Sequence, residues 1–97
     1  MQYLIYVAQG SRVLTSITRK RKDMAREAAQ RLAARYAAYQ NRLLPGTVTN
    51  HAAILDQIEK WAGAEAPCEA LIPVGLLMLR IGTTCPPDLE TKVRANG

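Results

Sequence analysis

The sequence predicts a small two-layer α+β domain, a β-hairpin followed by a long helix, a second helix and a third strand (ββααβ). Three observations predict it. Two β-prone segments flank a glycine turn near the start. An alanine-rich stretch without Gly or Pro runs from 11 to 44. A continuous apolar run, "VGLLMLRI", fills 74–81.

The first strand is "YLIYVA", residues 3–8. Tyr3, Ile5 and Val7 share one face and Leu4 and Tyr6 the other, so both faces are apolar and the strand belongs inside a sheet. "AQGS" (8–11) is the turn, with Gly10 free to take positive φ. "RVLTSITR" (12–19) alternates, with Val13, Thr15 and Ile17 on one face and Leu14, Ser16 and Thr18 on the other. Its β-branched residues predict the second strand of a hairpin. Arg12, Arg19 and Lys20 suit it to a sheet edge.

The long helix is predicted over 23–43. Ala25, Ala29, Leu32, Tyr36, Tyr39 and Leu43 line one stripe at helical spacing. Asp23 is the natural N-cap, and Pro45-Gly46 the stop. The second helix is capped by Thr49 or Asn50 and ended by Gly63, with Ile54, Leu55, Ile58 and Trp61 or Ala62 inward. "AEAPCEALIP" (64–73) reads as an irregular connection. The run 74–81 reads as one buried strand, which pairs with the first because both are apolar on both sides. Residues 86–97 read as a tail of a single domain spanning 1–97.

Charge is distributed unevenly. The net charge is +5 over 97 residues. Residues 1–45 hold nine Lys or Arg against Asp23 and Glu27, a balance of +7, while residues 46–97 balance at −2. Such an asymmetry suits an acidic partner. The stretch "TRKRKD" (18–23) sets Arg19, Lys20, Arg21 and Lys22 directly before the helix. Helix N-termini carry partial positive charge, so cations there are unfavourable unless an anion joins them. These cations are expected to border the helical first turn rather than lie inside it. On the helix itself, Arg31, Arg35 and Arg42 fall on one flank, a row that presents paired donors to phosphates. The same row also reads as a solvated flank whose arginine stems cover apolar surface.

Apolar residues make up 48% of the chain and the mean hydropathy is −0.11, as in globular proteins. No run is long enough to cross a bilayer and no basic leader precedes the first apolar segment, so a cytoplasmic protein is expected. Cys68, Cys85 and His51 cannot make a four-ligand zinc site, and the two thiols are expected reduced. A Cys–His pair would be the only nucleophile–base combination, and neither Cys has a local motif. Phosphate-loop, dinucleotide and paired-carboxylate signatures are absent. No enzyme, metal or cofactor is expected.

The link between the helices, "RLLPGTVTN", is too long for a helix-turn-helix. A basic hairpin before a helix is similar to the arm-binding modules of phage-type integrases, without their third strand. In size and layout the chain is also similar to small phage- or plasmid-borne inhibitors such as anti-CRISPR proteins. That likeness covers no motif; it implies a protein partner.

The leading expectation is a non-enzymatic binding protein that contacts nucleic acid mainly through phosphates, using Arg12, Arg19, Lys20, Arg21, Lys22, Arg31, Arg35 and Arg42. The alternative is an inhibitor or adaptor docking on an acidic protein surface. A third reading is a homodimer through the long helix, where Ala25, Ala28 and Ala29 permit close approach.

Overall fold

The computed structural model describes residues 2–64 and 69–83. The order is β1 (Tyr3–Gln9), β2 (Arg12–Arg19), α1 (Lys22–Leu43), α2 (His51–Gly63), β3 (Ala70–Val74) and β4 (Leu77–Thr83). The four strands form one antiparallel sheet in the order β2-β1-β4-β3. The α+β class is as the sequence predicts. The ββααβ order is corrected to ββααββ.

The correction has a local cause. The connection 64–73 contains β3, and the apolar run 74–81 is split by a turn at Gly75-Leu76. Val74 pairs with Leu77 across a two-residue loop, and Gly75 takes φ 62°. The first hairpin repeats this pattern, with Gln9 paired to Arg12 and Gly10 at φ 59°. A glycine of positive φ at the first loop position gives the twist that antiparallel strands need.

The central pair is β1 and β4, with Ile5 opposite Ile81 and Val7 opposite Leu79. This agrees with an inner first strand paired to the later apolar run. Both helices cover one face of the sheet. Ile5, Val7, Ile72, Val74, Leu79 and Ile81 meet Ala25, Ala29, Leu32 and Ala33 from α1 and Ile54 and Ile58 from α2, all buried. Trp61 closes one end, edge-on to Tyr3 at 5.8 Å between ring centres. The alanines let α1 lie close to the sheet. Because Ala25, Ala28 and Ala29 are buried in the chain's own core, they offer no surface for a helix-to-helix dimer.

Three further expectations are corrected. The N-cap of α1 is Arg21 rather than Asp23, and Lys22 is the first helical residue, so one cation of the basic run does lie inside the first turn. The buried stripe of α1 ends on Ala37 and Gln40, while Tyr39 and Leu43 are exposed. The register between β1 and β2 shifts at Val7/Ala8, which moves Val13 opposite Ala8 and leaves Leu14 as the extra residue of a bulge. Leu14 therefore packs on the core with Ile17 rather than facing away from it.

Polar side chains pin the C-terminal end of α1. Gln40 is buried, donates Nε2 to the Val74 carbonyl at 2.8 Å and accepts the Leu76 N–H on Oε1 at 2.9 Å. It thereby holds the β3–β4 turn to the helix. Asn41 donates to the Val48 carbonyl and accepts its N–H, at 3.0 and 2.8 Å, which sets the path of the link to α2. The predicted tail at 86–97, Cys68 and Cys85 lie outside the described residues.

Candidate nucleic-acid interface

The edge strand β2 runs alongside α1, and a groove opens between them. Its first part is lined by Ile17 and Arg19 from β2 and by Met24, Glu27, Arg31, Leu32 and Arg35 from α1. Its continuation is lined by Leu14, Arg35, Tyr36, Tyr39 and Arg42. Arg35 belongs to both parts, so four arginines follow one path. A rise of about 1.5 Å per residue sets Arg31 and Arg42 about 16 Å apart along α1.

The groove owes its position to simple patterning. Helical period puts Arg31, Arg35 and Arg42 on the flank next to the Leu32 and Tyr36 stripe. Strand period puts Arg19 on the helix-facing side of β2, opposite Tyr3 and two residues from Ile17. The bulge turns Leu14 the same way. An apolar floor with a cationic wall results.

The wall holds little negative charge. Glu27 is the one acid among the lining residues, and it accepts a hydrogen bond from Arg31 at 3.0 Å. Four arginines against one glutamate leave a formal +3 along the groove. The Arg31 side chain is 79% exposed, so that ion pair is a solvated one that a stronger anion displaces at little cost. Among the described residues, Arg35 and Arg42 have no carboxylate partner. The Arg35 guanidinium sits 5.9 Å from the ring centre of Tyr36, and Tyr36 meets Tyr39 edge-on at 6.4 Å. Tyr39 is 48% exposed beside Arg42 and is no part of the core.

The eight cations expected at the interface separate into three sets. Arg19, Arg31, Arg35 and Arg42 come together in the groove. Arg12 lies at the far end of β2 by the first turn, and Lys20 stands exposed in the link to α1. Arg21 and Lys22 are engaged within the chain. Arg21 donates two hydrogen bonds to Asp23, at 3.1 and 2.9 Å. Lys22 donates to the Ala64 carbonyl at the end of α2 and lies 5.2 Å from the ring centre of Trp61. So Lys22 is repelled by the start of α1 and attracted by the end of α2. Arg26 likewise turns to Glu59 on α2.

Sequence reasoning missed Leu14 and Met24 as lining residues. The alternation along β2 pointed Leu14 the wrong way, and only the bulge corrects it. Met24 carried a signal, an apolar residue off the core stripe at the start of a helix.

Among the described residues, no three His, Cys, Asp or Glu side chains gather closely enough to hold a metal ion. No described helix is long and apolar enough to cross a membrane. Set beside known proteins, the chain matches no family model, no curated protein and no solved structure.

Proposed function

We propose that the protein binds nucleic acid through the backbone phosphates, along the groove between β2 and α1. The observation that carries this reading is the single path of Arg19, Arg31, Arg35 and Arg42 with only Glu27 to oppose it. Guanidinium groups present paired donors to phosphate oxygens, so each position along the path suits one phosphate. The exposed ring of Tyr39 offers a stacking surface for an unpaired base beside Arg42. Arg12 and Lys20 extend the positive field beyond the two ends of β2. Contacts of this kind position a strand without reading its sequence, so little base preference is expected.

Salt dependence tests it. Neutralising about four phosphates gives a log–log slope near −3.6 on duplex DNA and near −2.8 on a single strand. Fluorescence anisotropy with random-sequence duplex and single-stranded probes, from about 50 to about 200 mM salt, measures both. A chain that binds neither probe at the lowest salt does not have this function.

A second reading rests on the groove's apolar part. Met24 is 44% exposed and Tyr39 48%, next to the arginines. A protein segment with carboxylates and apolar side chains would also fit, as an inhibitor or adaptor docking on an acidic surface requires. Recovery of one protein partner after nuclease treatment, with no binding to either probe, favours this second reading.

A further inference from the structure

The helices cover one face of the sheet, and the other face is largely apolar over β1, β4 and β3. Alternation along a half-solvated antiparallel sheet normally sets polar residues outward. Here the outward positions of the two central strands hold Leu4, Tyr6 and Ala8 on β1 and Met78, Arg80 and Gly82 on β4. The flanking strands add Leu71 and Pro73 from β3 and Val13 from β2, whose remaining outward positions, Ser16 and Thr18, are polar and form one rim of the face. Leu71 is 56% exposed, Val13 53% and Met78 37%. No described residue of either helix lies over them.

Charge on this face is internally cancelled. Arg80 lies across the Tyr6 ring, 5.6 Å from its centre, and donates to Glu69 at 2.6 Å. Its side chain is only 19% exposed. The groove arginines, by contrast, line the far side of β2 against α1. A second copy of this chain therefore approaches the sheet face without meeting like charge, whereas an acidic or basic partner finds nothing there to pair with.

Size agrees with this occupant. Strands about 4.8 Å apart, rising about 3.3 Å per residue, give four strands a plane of roughly 400 Å². Side-chain relief raises the accessible area toward the roughly 600–1,000 Å² that each partner of a specific interface covers. Edge-to-edge growth is disfavoured, because Pro73 removes a donor from the β3 edge and Arg12 and Arg19 mark the ends of the β2 edge.

We infer that the open sheet face, centred on Tyr6, Leu71 and Met78, is a homodimer interface in which two sheets pack face to face. The inference does not depend on the nucleic-acid reading. Aligned sheets pack about 10 Å apart with interleaved side chains, and the neutral Arg80–Glu69 pairs lie within that layer.

Sedimentation equilibrium on the full chain over a wide concentration range tests it. The expected result is twice the chain mass for the parent. The double variant Leu71→Glu, Met78→Glu is expected to sediment as a monomer with the parent's far-ultraviolet circular dichroism. Should that variant fail to fold, Val13→Lys at the β2 side of the same face is expected to weaken dimerisation at least tenfold. Leu43→Lys with Leu44→Lys, at the end of α1, is expected to leave the dimer intact. A parent that stays monomeric at every concentration overturns the inference, including the case in which residues 84–97 cover the face of their own chain. Folded face variants that remain dimeric overturn it equally, as does loss of the dimer in the Leu43, Leu44 control.

Discussion

Gly10 and Gly75 hold the same place in two hairpins, and their surroundings differ. A Cβ on Gly10 meets nothing within 4 Å. A Cβ on Gly75 would lie 2.6 Å from Gln40 Oε1 and 2.8 Å from Val48 Cγ2. Both glycines have positive φ, which costs a residue with a side chain about 1–2 kcal/mol. At Gly75 the clash adds about 1–3 kcal/mol, because Gln40 is held by three backbone partners, the Tyr36 and Val74 carbonyls and the Leu76 N–H, and cannot move without breaking them. Gly75→Ala is therefore expected to lower stability well beyond Gly10→Ala, by the clash alone. Urea titrations of the two variants give the difference, and equal losses would mean that Gln40 yields freely. Lys22 is the other residue whose role is set by its neighbours. Its place at the start of α1 is unfavourable, yet its ammonium reaches the Ala64 carbonyl and the Trp61 ring. Lys22→Met keeps the stem and removes the charge. It is expected to cost about 1 kcal/mol, the lost cation–π and hydrogen-bond contributions outweighing relief at the helix start. Thermal melts check this, with a fall of about 4–8 °C expected for a domain of this size; a rise would show that the helix-start repulsion dominates.

Helix α1 carries both the core and the groove, on adjoining flanks set by one helical period. The buried alanines and Leu32 tie it to the sheet, while Arg31, Arg35 and Arg42 are exposed. Changing all three to Gln keeps good helix formers and removes one solvated ion pair, so stability is expected to change by less than about 1 kcal/mol. Binding to nucleic acid is expected to fall at least tenfold, about 1.4 kcal/mol. Denaturation curves and anisotropy on one variant separate the two effects; a large loss of stability would assign the arginines to packing. The common flank of these arginines is legible in the sequence because helical spacing is periodic. The junction with Arg19 is not, since it depends on β2 lying beside α1. Lys22's contacts with α2 had no local signal either. Among the strands, β1, β2 and the ends of α2 are legible from apolar patterning and turn residues. The β3–β4 hairpin is hidden because Gly75 and Leu76 interrupt a run that is apolar on both sides. Its strands look continuous for the same reason that their outer face is apolar.

At the scale of the whole molecule, the groove and the open sheet face use different surfaces. The groove lies on the helix side, between β2 and α1. The face centred on Tyr6, Leu71 and Met78 lies on the other side of the same sheet. Two copies packed through that face would carry their helix layers outward, so each protomer would present its own groove to solvent. One strand would then not need to touch both protomers. Binding of a short single-stranded probe is therefore expected to be independent of dimerisation, with one probe per chain. The variant Leu71→Glu, Met78→Glu is expected to bind such a probe with nearly the parent's affinity, apart from a small loss. Its added carboxylates lower the net charge by two from +5, which weakens the long-range attraction but removes no groove contact. Probes long enough to reach two grooves behave differently, because the second contact becomes intramolecular and gains from effective concentration. The parent is thus expected to gain affinity with probe length more steeply than the monomeric variant, while the two coincide on short probes. Anisotropy titrations over a series of probe lengths measure both curves. A variant that loses short-probe binding would mean that the dimer completes each groove, and the independence of the two surfaces would be wrong.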